Sequence, residues 1–435
     1  MNKDMHKKLR NKLLAQLPEK SAVLLFAPGE LRRNGDVHYP FRQESYFHYF
    51  TGFPESDAVA VFLKEGSRFI LYSRRHDPLY EIWQGKIIGQ QGAMDNYGAD
   101  AAFPLEEVGQ LAGQLGDVRH LYGILGENAE DDRRLSALLR EIHQRAGRGG
   151  ADVKGLGDIR ALAAEMRLHK EPEEIALLKQ ATAISARGHA AAMLAAQSAT
   201  HEYQVQAALE ASFMGEGCHW SFPSIVAAGA NGCCLHYTSN NAPIKKGEMM
   251  LVDGGAELDC YAGDLTRTFP VGGKFSREQQ AIYEIVLAAQ QEGINNAVVG
   301  RRHLDLHAAV TKVLMQGLLD LGVIDKDLDY WLAENRFKQF YPHGTGHWLG
   351  LDVHDVGIYT ADGASRPYQE HMLITVEPGL YLQRNDTTIA EKWRGLAVRI
   401  EDDVLITKNG PEVFDATAAP KAVAEVEKFI ADHRK

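Results

Sequence analysis

Through the first third of the chain, apolar residues come in short runs bounded by turn residues. Ser21–Phe26 (SAVLLF), Ala58–Leu63 (AVAVFL) and Arg68–Tyr72 (RFILY) each predict a strand, because short runs rich in branched and aromatic side chains suit a pleated, buried surface. A charged amphipathic helix, MNKDMHKKLRNKLLAQL, precedes them, and a helical pattern around Asp131–His143 follows. This part reads as α/β. Next, Gln144–Gly157 (QRAGRGGADVKGLG) carries five glycines and almost no large apolar side chain, which predicts a linker. The chain is expected to divide there, into 1–155 and 156–435.

Beyond the linker the period lengthens. Asp158–Leu168 predicts a helix that breaks at Glu171-Pro172, where proline suits the first turn of a second helix reaching about Ala196. His201–Met214 is a further amphipathic segment. Strand-like runs follow at Ser224–Ala228, Glu248–Gly254 and Cys260–Phe269, then helices at Ser276–Ala297 and His303–Leu321. Two more strand runs occupy Met372–Leu382 and Leu396–Thr407, and a last helix covers about Ala418–His433. Helices then strands, twice over, predict an α+β domain whose two halves are related as duplicates, although no sequence repeat marks them.

The 435 residues suffice for two or three domains with a large core. At 45% hydrophobic and 24% charged, the composition excludes a disordered or fibrous chain. A formal charge of -11 repels phosphate backbones and anionic lipid, which argues against nucleic acid or a membrane surface as partner. The four cysteines form neither a CxxC site nor a disulfide framework, and a reducing cytosol suits them. With no apolar leader and no run near the roughly 20 residues that span a bilayer, a soluble cytoplasmic protein is expected.

Acidic residues interrupt several of the strand patterns. Residues 248–269 read EMMLVDGGAELDCYAGDLTRTF, with Asp253 and Asp264 in or beside apolar runs. Alone, Asp253 before Gly-Gly reads as a turn residue, and Asp264 as a partner for Arg267. In YPHGTGHWLGLDVHD, residues 341–355, His343, His347 and His354 stand among glycines in a pattern that matches no phosphate-cradling loop. One such histidine is ordinarily a core residue; three predict a polar pocket. Glu377 ends an apolar run before Pro-Gly. In LAVRIEDDVLI, alternation puts Ala397, Arg399 and Glu401 on one face and Val398 and Ile400 on the other. A salt bridge with Arg399 is the plain alternative to a ligand role for Glu401.

Burying an isolated carboxylate costs several kcal/mol unless it is paired or bound to a metal. Two Asp, at least one His and two Glu in one domain suit an oxygen-rich site for two divalent cations. Four carboxylates and a neutral imidazole are balanced by two such ions before a bridging hydroxide joins; one ion leaves two negative charges, and none leaves four. Carboxylate dominance argues against structural zinc and suits Mn(II), with Co(II), Fe(II) or Zn(II) as substitutes. Two ions about 3.5–4 Å apart acidify a shared water and polarise a carbonyl. That is hydrolytic chemistry.

The order Asp253, Asp264, His347, Glu377, Glu401, set in LVDGG, GDLTRTFPVGG, HGTGHWLGLDVHDVG, TVEPGLY and RIEDDVLIT, resembles the pita-bread metallopeptidases, and among them the Xaa-Pro aminopeptidase (aminopeptidase P) family. FRQESYFHYFTGFPESDAV, residues 41–59, resembles that family's amino-terminal domain, so the likeness spans nearly the whole chain. It implies an α/β N-terminal domain at 1–155 and an α+β pita-bread catalytic domain at 156–435. The implied activity is release of the first residue from peptides beginning Xaa-Pro, by attack of a metal-bridging hydroxide.

By the same resemblance Asp253 and Asp264 hold one metal, and Asp264, His347, Glu377 and Glu401 the second, with Asp264 and Glu401 bridging. Glu377 is also the implied acid/base. His354 and His236 (in NGCCLHYTSN) position substrate and stabilise the oxyanion, His343 lines the pocket, and Arg399 orients Glu401. Trp83, in EIWQG, matches an aromatic that relatives extend toward a neighbouring subunit's site, which implies a homo-oligomer, a dimer or tetramer; an ordinary packed or interface tryptophan is the alternative. Phe222 departs from the tyrosine many relatives carry before the Ser/Thr-Ile-Val segment, and removes a hydroxyl there.

Prolidase shares the metal site but cleaves Xaa-Pro dipeptides, and needs a cation, Arg366 or Arg399, for the substrate's carboxylate. The amino-terminal likeness argues against it. A non-catalytic pita-bread protein that binds peptides or histones, or a creatinase-like metal-free hydrolase, is disfavoured by the intact ligand set.

Overall fold

The computed structural model describes residues 3–146, 153–361 and 363–433. The chain forms two compact units, Met1–Ala164 and Glu165–Lys435. Part of the expected linker, 147–152, lies outside the described residues. On either side of it, Gln144 belongs to the helix Ala129–Ala146, and Leu156–Asp158 pairs in parallel with the strand His120–Gly123. Leu156 is this edge strand's one large apolar residue, so periodicity could not reveal it. The helix expected from Asp158 therefore starts later, at Arg160.

In the first unit, Ser21–Phe26 lies inside a six-stranded sheet. The order is Ala101–Pro104, Arg68–Ser73, Val59–Leu63, Ser21–Phe26, His120–Gly123, Leu156–Asp158. The three runs legible in the sequence make the antiparallel centre, and parallel strands flank them. Leu24, Val61, Tyr72 and Leu135 form the core of one face.

The second unit repeats one plan. Glu171 and Glu174 cap the helix Pro172–Ala195 reciprocally, with Pro172 in its first turn, and this helix packs on Glu202–Gly215. An antiparallel sheet of Ile225–Ala228, Met249–Asp253 and Thr266–Pro270 follows. The helix Arg277–Asn296, capped by Ser276 and Gln279, then packs on His303–Asp320. It is followed by the antiparallel sheet Leu373–Val376, Asp402–Thr407 and Gly410–Val413 and by the hairpin Gly379–Leu382 with Leu396–Arg399. The last helix runs Val423–His433, shorter than expected, because Pro420 and the turn around it occupy the preceding residues.

Three runs expected to be continuous strands are each broken in two. Cys260–Phe269 divides into Tyr261–Ala262 and Thr266–Pro270, Met372–Leu382 at Glu377-Pro378, and Leu396–Thr407 at Ile400-Glu401. Pro378 has no N–H for a ladder. At Gly263 the backbone passes so close to the helix Pro172–Ala195 that a Cβ would lie 2.7 Å from Ser185 Oγ and 3.0 Å from the Ala181 backbone. The alternation over Ala397–Glu401 holds as far as Ile400, with Val398 and Ile400 entering the main core while Ala397 packs with Ile225, Leu251 and Tyr381 and Arg399 bonds Tyr381, but Glu401 has already left the strand. Each break turns an acidic side chain out of its ladder. Among the described residues no helix is long and apolar enough to cross a membrane.

Candidate metal centre and active site

Asp253 ends the central strand Met249–Asp253, and its neighbours in register are Ile225 and Thr266. Asp264 lies in the break just before Thr266. Glu401 reaches the same place from the other sheet: its N–H donates to the Thr266 carbonyl at 3.1 Å, and its Oε2 accepts from Thr266 Oγ1 at 2.6 Å. Glu377 follows the strand Leu373–Val376, and its N–H donates to the Thr345 carbonyl at 2.8 Å. His347 is held alongside by its N–H on Thr375 Oγ1 and by the Thr375 N–H on its carbonyl. Ligand oxygens of Asp264 and Glu401 and a ring nitrogen of His347 all lie within 4.8 Å of one another.

Hydrogen bonding fixes the imidazole. The Trp348 carbonyl can only accept, so His347 Nδ1–H donates to it at 3.0 Å and Nε2 is left with its lone pair. Nε2 faces Asp264 Oδ2 at 3.4 Å and Glu377 Oε1 at 3.6 Å. The three groups thus converge on one gap. Asp253 Oδ1 and Asp264 Oδ1 are likewise buried with no hydrogen-bond partner. A cation satisfies this donor set; solvent-facing carboxylates would not need one.

Burial first, and then the neighbouring carboxylates, push the Asp264 and Glu401 carboxyls well above their ordinary range, and burial raises Glu377 as well. A buried cation beside them, Arg399, is committed. Arg399 donates through NH2 to Asp253 Oδ2 at 2.6 Å, through NH1 to the Tyr381 hydroxyl at 2.9 Å, and through Nε to Thr266 Oγ1 at 3.2 Å. Its action on Glu401 runs through Thr266. The simpler pairings are absent: Arg267 bonds Asp402 rather than Asp264, and Arg399 bonds Asp253 rather than Glu401.

Because raised carboxyls hold protons that an incoming cation must displace, metal uptake is expected to release protons, about one or more per chain near neutral pH, and affinity should rise with pH. Titration calorimetry in buffers of different ionisation enthalpy reads the number directly; a heat independent of buffer would contradict it.

These groups line a cavity of about 550 Å³ whose walls include Phe222, Pro223, Leu235 and Val353. His236, His343 and His354 line it too. Burial lowers His343 to about 3, so it stays neutral: Nδ1–H donates to the Gly344 carbonyl at 2.7 Å, and Nε2 accepts from the Tyr381 hydroxyl at 2.8 Å. The His354 ring meets that of His347 edge to face, centroids 4.4 Å apart.

A model of metallopeptidase family M24 matches residues 176–408, and one of the aminopeptidase P N-terminal domain matches residues 6–122. An Xaa-Pro aminopeptidase of Haemophilus influenzae is 39% identical over 98% of this chain and 97% of its own length. The structure is similar to that of Pseudomonas aeruginosa aminopeptidase PepP, with TM-score 0.96 and 41% identity over 99% and 98% of the two chains. It is also similar to a variant of Escherichia coli aminopeptidase P in complex with substrate, with TM-score 0.95 and 37% identity over 99% of each chain. The chain belongs to the M24 metallopeptidases, in their aminopeptidase P group.

In this M24 enzyme the second unit is the pita-bread catalytic domain expected from the sequence, and it is a metal-binding peptidase. All the residues expected around the centre, Asp253, Asp264, His347, Glu377, Glu401, Arg399 and the three further histidines, line one cavity. Trp83 is elsewhere: it lies in the first unit, on the short helix Pro78–Gln84, and is 84% exposed. Sequence reasoning missed Thr266 and Tyr381, which carry the contacts of Arg399 to Glu401 and His343. Thr266 stood inside the quoted GDLTRTF motif, but a hydroxyl in a strand gives no signal of its own.

Proposed function

We propose that this M24 metallopeptidase is an Xaa-Pro aminopeptidase that uses two divalent cations, Mn(II) before Co(II), Zn(II) or Fe(II), held by Asp253, Asp264, His347, Glu377 and Glu401. The observation that carries it is the convergence of His347 Nε2 with Asp264 Oδ2 at 3.4 Å and Glu377 Oε1 at 3.6 Å on one gap. Charge supports the number. With Arg399 counted, the four carboxylates leave three negative charges, so two divalent ions leave one positive charge for a nucleophile or developing oxyanion. Mn(II) is supported by carboxylate dominance with a single imidazole. Such ions, when bound, acidify water and polarise a scissile carbonyl.

The chain's own residues do the rest. Glu377, beside His347 and only partly exposed, holds and moves the proton of the attacking water. His236 and His354 face the developing oxyanion from the cavity wall, and His343 keeps a neutral wall beside them. An Xaa-Pro bond offers no amide N–H, so recognition falls to the free amine, the carbonyl and the shape of the proline ring. Phe222, Pro223, Leu235 and Val353 supply apolar surface for that purpose. Phe222 offers no hydroxyl there.

Three further readings complete the proposal. The division 1–155 and 156–435 separates an amino-terminal domain from the catalytic one. Trp83, with Leu79 and Ile82 at 84%, 74% and 76% exposed on one short helix, supports a subunit contact in a homo-oligomer, with Trp83 near a neighbour's substrate. A cytoplasmic location is supported by the thiols of Cys218, Cys233 and Cys234, which are in no disulfide.

Prolidase is not favoured. Arg366 is engaged by Glu165 at 2.6 and 2.5 Å and does not line the cavity, and Arg399 has its donors placed, so neither is available to a dipeptide carboxylate. The Mn(II)-loaded chain should therefore release the first residue from Xaa-Pro-Xaa tripeptides, with kcat/KM at least roughly tenfold above that for Xaa-Pro dipeptides. Cleavage confined to dipeptides would reverse the assignment.

A further inference from the structure

We propose that Asp355 is a positioning residue for this centre: pinned by Arg167 and Lys170, it fixes the loop that aims His347 and His354. The inference rests on the metallopeptidase reading above and extends it to residues that do not line the cavity.

The Trp348 carbonyl accepts from two donors, His347 Nδ1–H at 3.0 Å and the Asp355 N–H at 2.9 Å. The bond that sets the His347 tautomer is therefore shared with the backbone of Asp355. His354 is the preceding residue, and its ring rests against that of His347. Within the same loop the Gly350 carbonyl accepts from the Ala262 N–H at 2.9 Å, two residues before Asp264. One short segment thus touches three parts of the centre.

Its anchor is electrostatic. Asp355 Oδ1 accepts from Arg167 NH2, and Oδ2 from Lys170 Nζ at 3.2 Å, with all three side chains 1% exposed. Space is closed around the carboxylate: a Cβ on Gly350 would lie 2.1 Å from Asp355 Oδ2 and 3.3 Å from Lys170 Cε. A buried ion cluster is a poor device for stability, since apolar side chains of similar volume commonly do as well. What it supplies here is a fixed orientation for a glycine-containing loop, from Arg167 at the end of one helix and Lys170 just before the next.

The test compares the full-length wild type with Asp355→Asn, Gly350→Ala and the double variant Asp355→Asn with Lys170→Met. Asp355→Asn should weaken Mn(II) binding, titrated into the metal-free chain, by roughly 10- to 100-fold, the range typical when a partner of a metal-bound histidine is lost. At saturating Mn(II), kcat on an Xaa-Pro-Xaa tripeptide should fall by roughly tenfold while KM stays within about twofold. Gly350→Ala displaces the same carboxylate without changing any charge and should show the same pattern.

The double variant separates positioning from stability. Removing Lys170 with Asp355 relieves the charge imbalance, so its Tm should return toward wild type while Mn(II) affinity and kcat stay low. Restoration of affinity along with Tm would overturn the proposal, as would wild-type affinity and kcat in Asp355→Asn. The Mn(II) titration involves no substrate, so it tests the clamp even if the wild type fails to cleave Xaa-Pro peptides, a failure that would count against the proposed substrate instead.

Discussion

Replacing Asp264 or Glu401 by alanine is expected to leave a chain that retains no stoichiometric metal and loses at least about a thousandfold in kcat/KM, on the order of 4 kcal/mol of transition-state stabilisation. Both side chains are buried, 4% and 2% exposed as residues, and both face the other carboxylates and His347. Without either one, an ion at the centre keeps too few oxygens and too little negative charge. A second, opposite effect should accompany the loss. In the metal-free chain these carboxyls are raised by burial and by one another, so the folded state holds more protons than the unfolded one, and stability falls as pH rises through that interval. Removing one relieves the others. Metal-free Asp264→Asn should therefore melt at or above metal-free wild type at neutral pH, although only the wild type gains stability when Mn(II) is added. Elemental analysis and calorimetry on the same samples decide it; metal retained at wild-type level, or activity above about a tenth, would remove Asp264 from the ligand set.

Why these residues were legible, and their surroundings less so, follows from where they sit. Asp253, Asp264, Glu377 and Glu401 each interrupt an apolar run, and an acid in an apolar run stands out because its burial is costly. The same runs misled on structure. Hydropathy cannot distinguish one long buried strand from two short ones in different sheets, since both faces are buried on either side of the break. Pro378 marked one break in advance. Nothing in Ile400-Glu401 marked the break in Leu396–Thr407, because the chain is turned there by a contact made across the fold, the Glu401 N–H on the Thr266 carbonyl. The histidine-rich loop was visible from its density of rings. Which ring nitrogen carries a hydrogen was not, as that depends on the Trp348 carbonyl. The edge strand Leu156–Asp158 was hidden for a different reason: its sheet partner, His120–Gly123, supplies the order that its own glycine-rich sequence lacks. The plain alternatives to the ligand roles, a pairing of Asp264 with Arg267 and of Glu401 with Arg399, are not the salt bridges the fold makes, since the arginines bond Asp402 and Asp253 instead.

Arg399→Met is expected to destabilise the metal-free chain by about 3–5 kcal/mol, the usual cost of leaving one member of a buried ion pair uncompensated. Arg399 is 4% exposed as a residue, and three different nitrogens serve three acceptors: Asp253, the Tyr381 hydroxyl and Thr266 Oγ1. Its loss leaves Asp253 without its cation and Thr266 and Tyr381 without a common donor, so Glu401 and His343 lose their shared reference at the same time. Lysine cannot substitute, because a single ammonium does not reproduce a planar fork with separate Nε, NH1 and NH2 directions. Arg399→Lys should accordingly recover stability in part but leave kcat depressed by roughly 10- to 100-fold. Metal loading should narrow the stability gap for Arg399→Met, since divalent charge beside Asp253 replaces some of what the guanidinium supplied. Urea unfolding of metal-free and Mn(II)-loaded samples measures both gaps. Equal destabilisation in the two states would mean that Arg399 acts through packing alone, and that the negative charge of Asp253 is not what the guanidinium is there to balance.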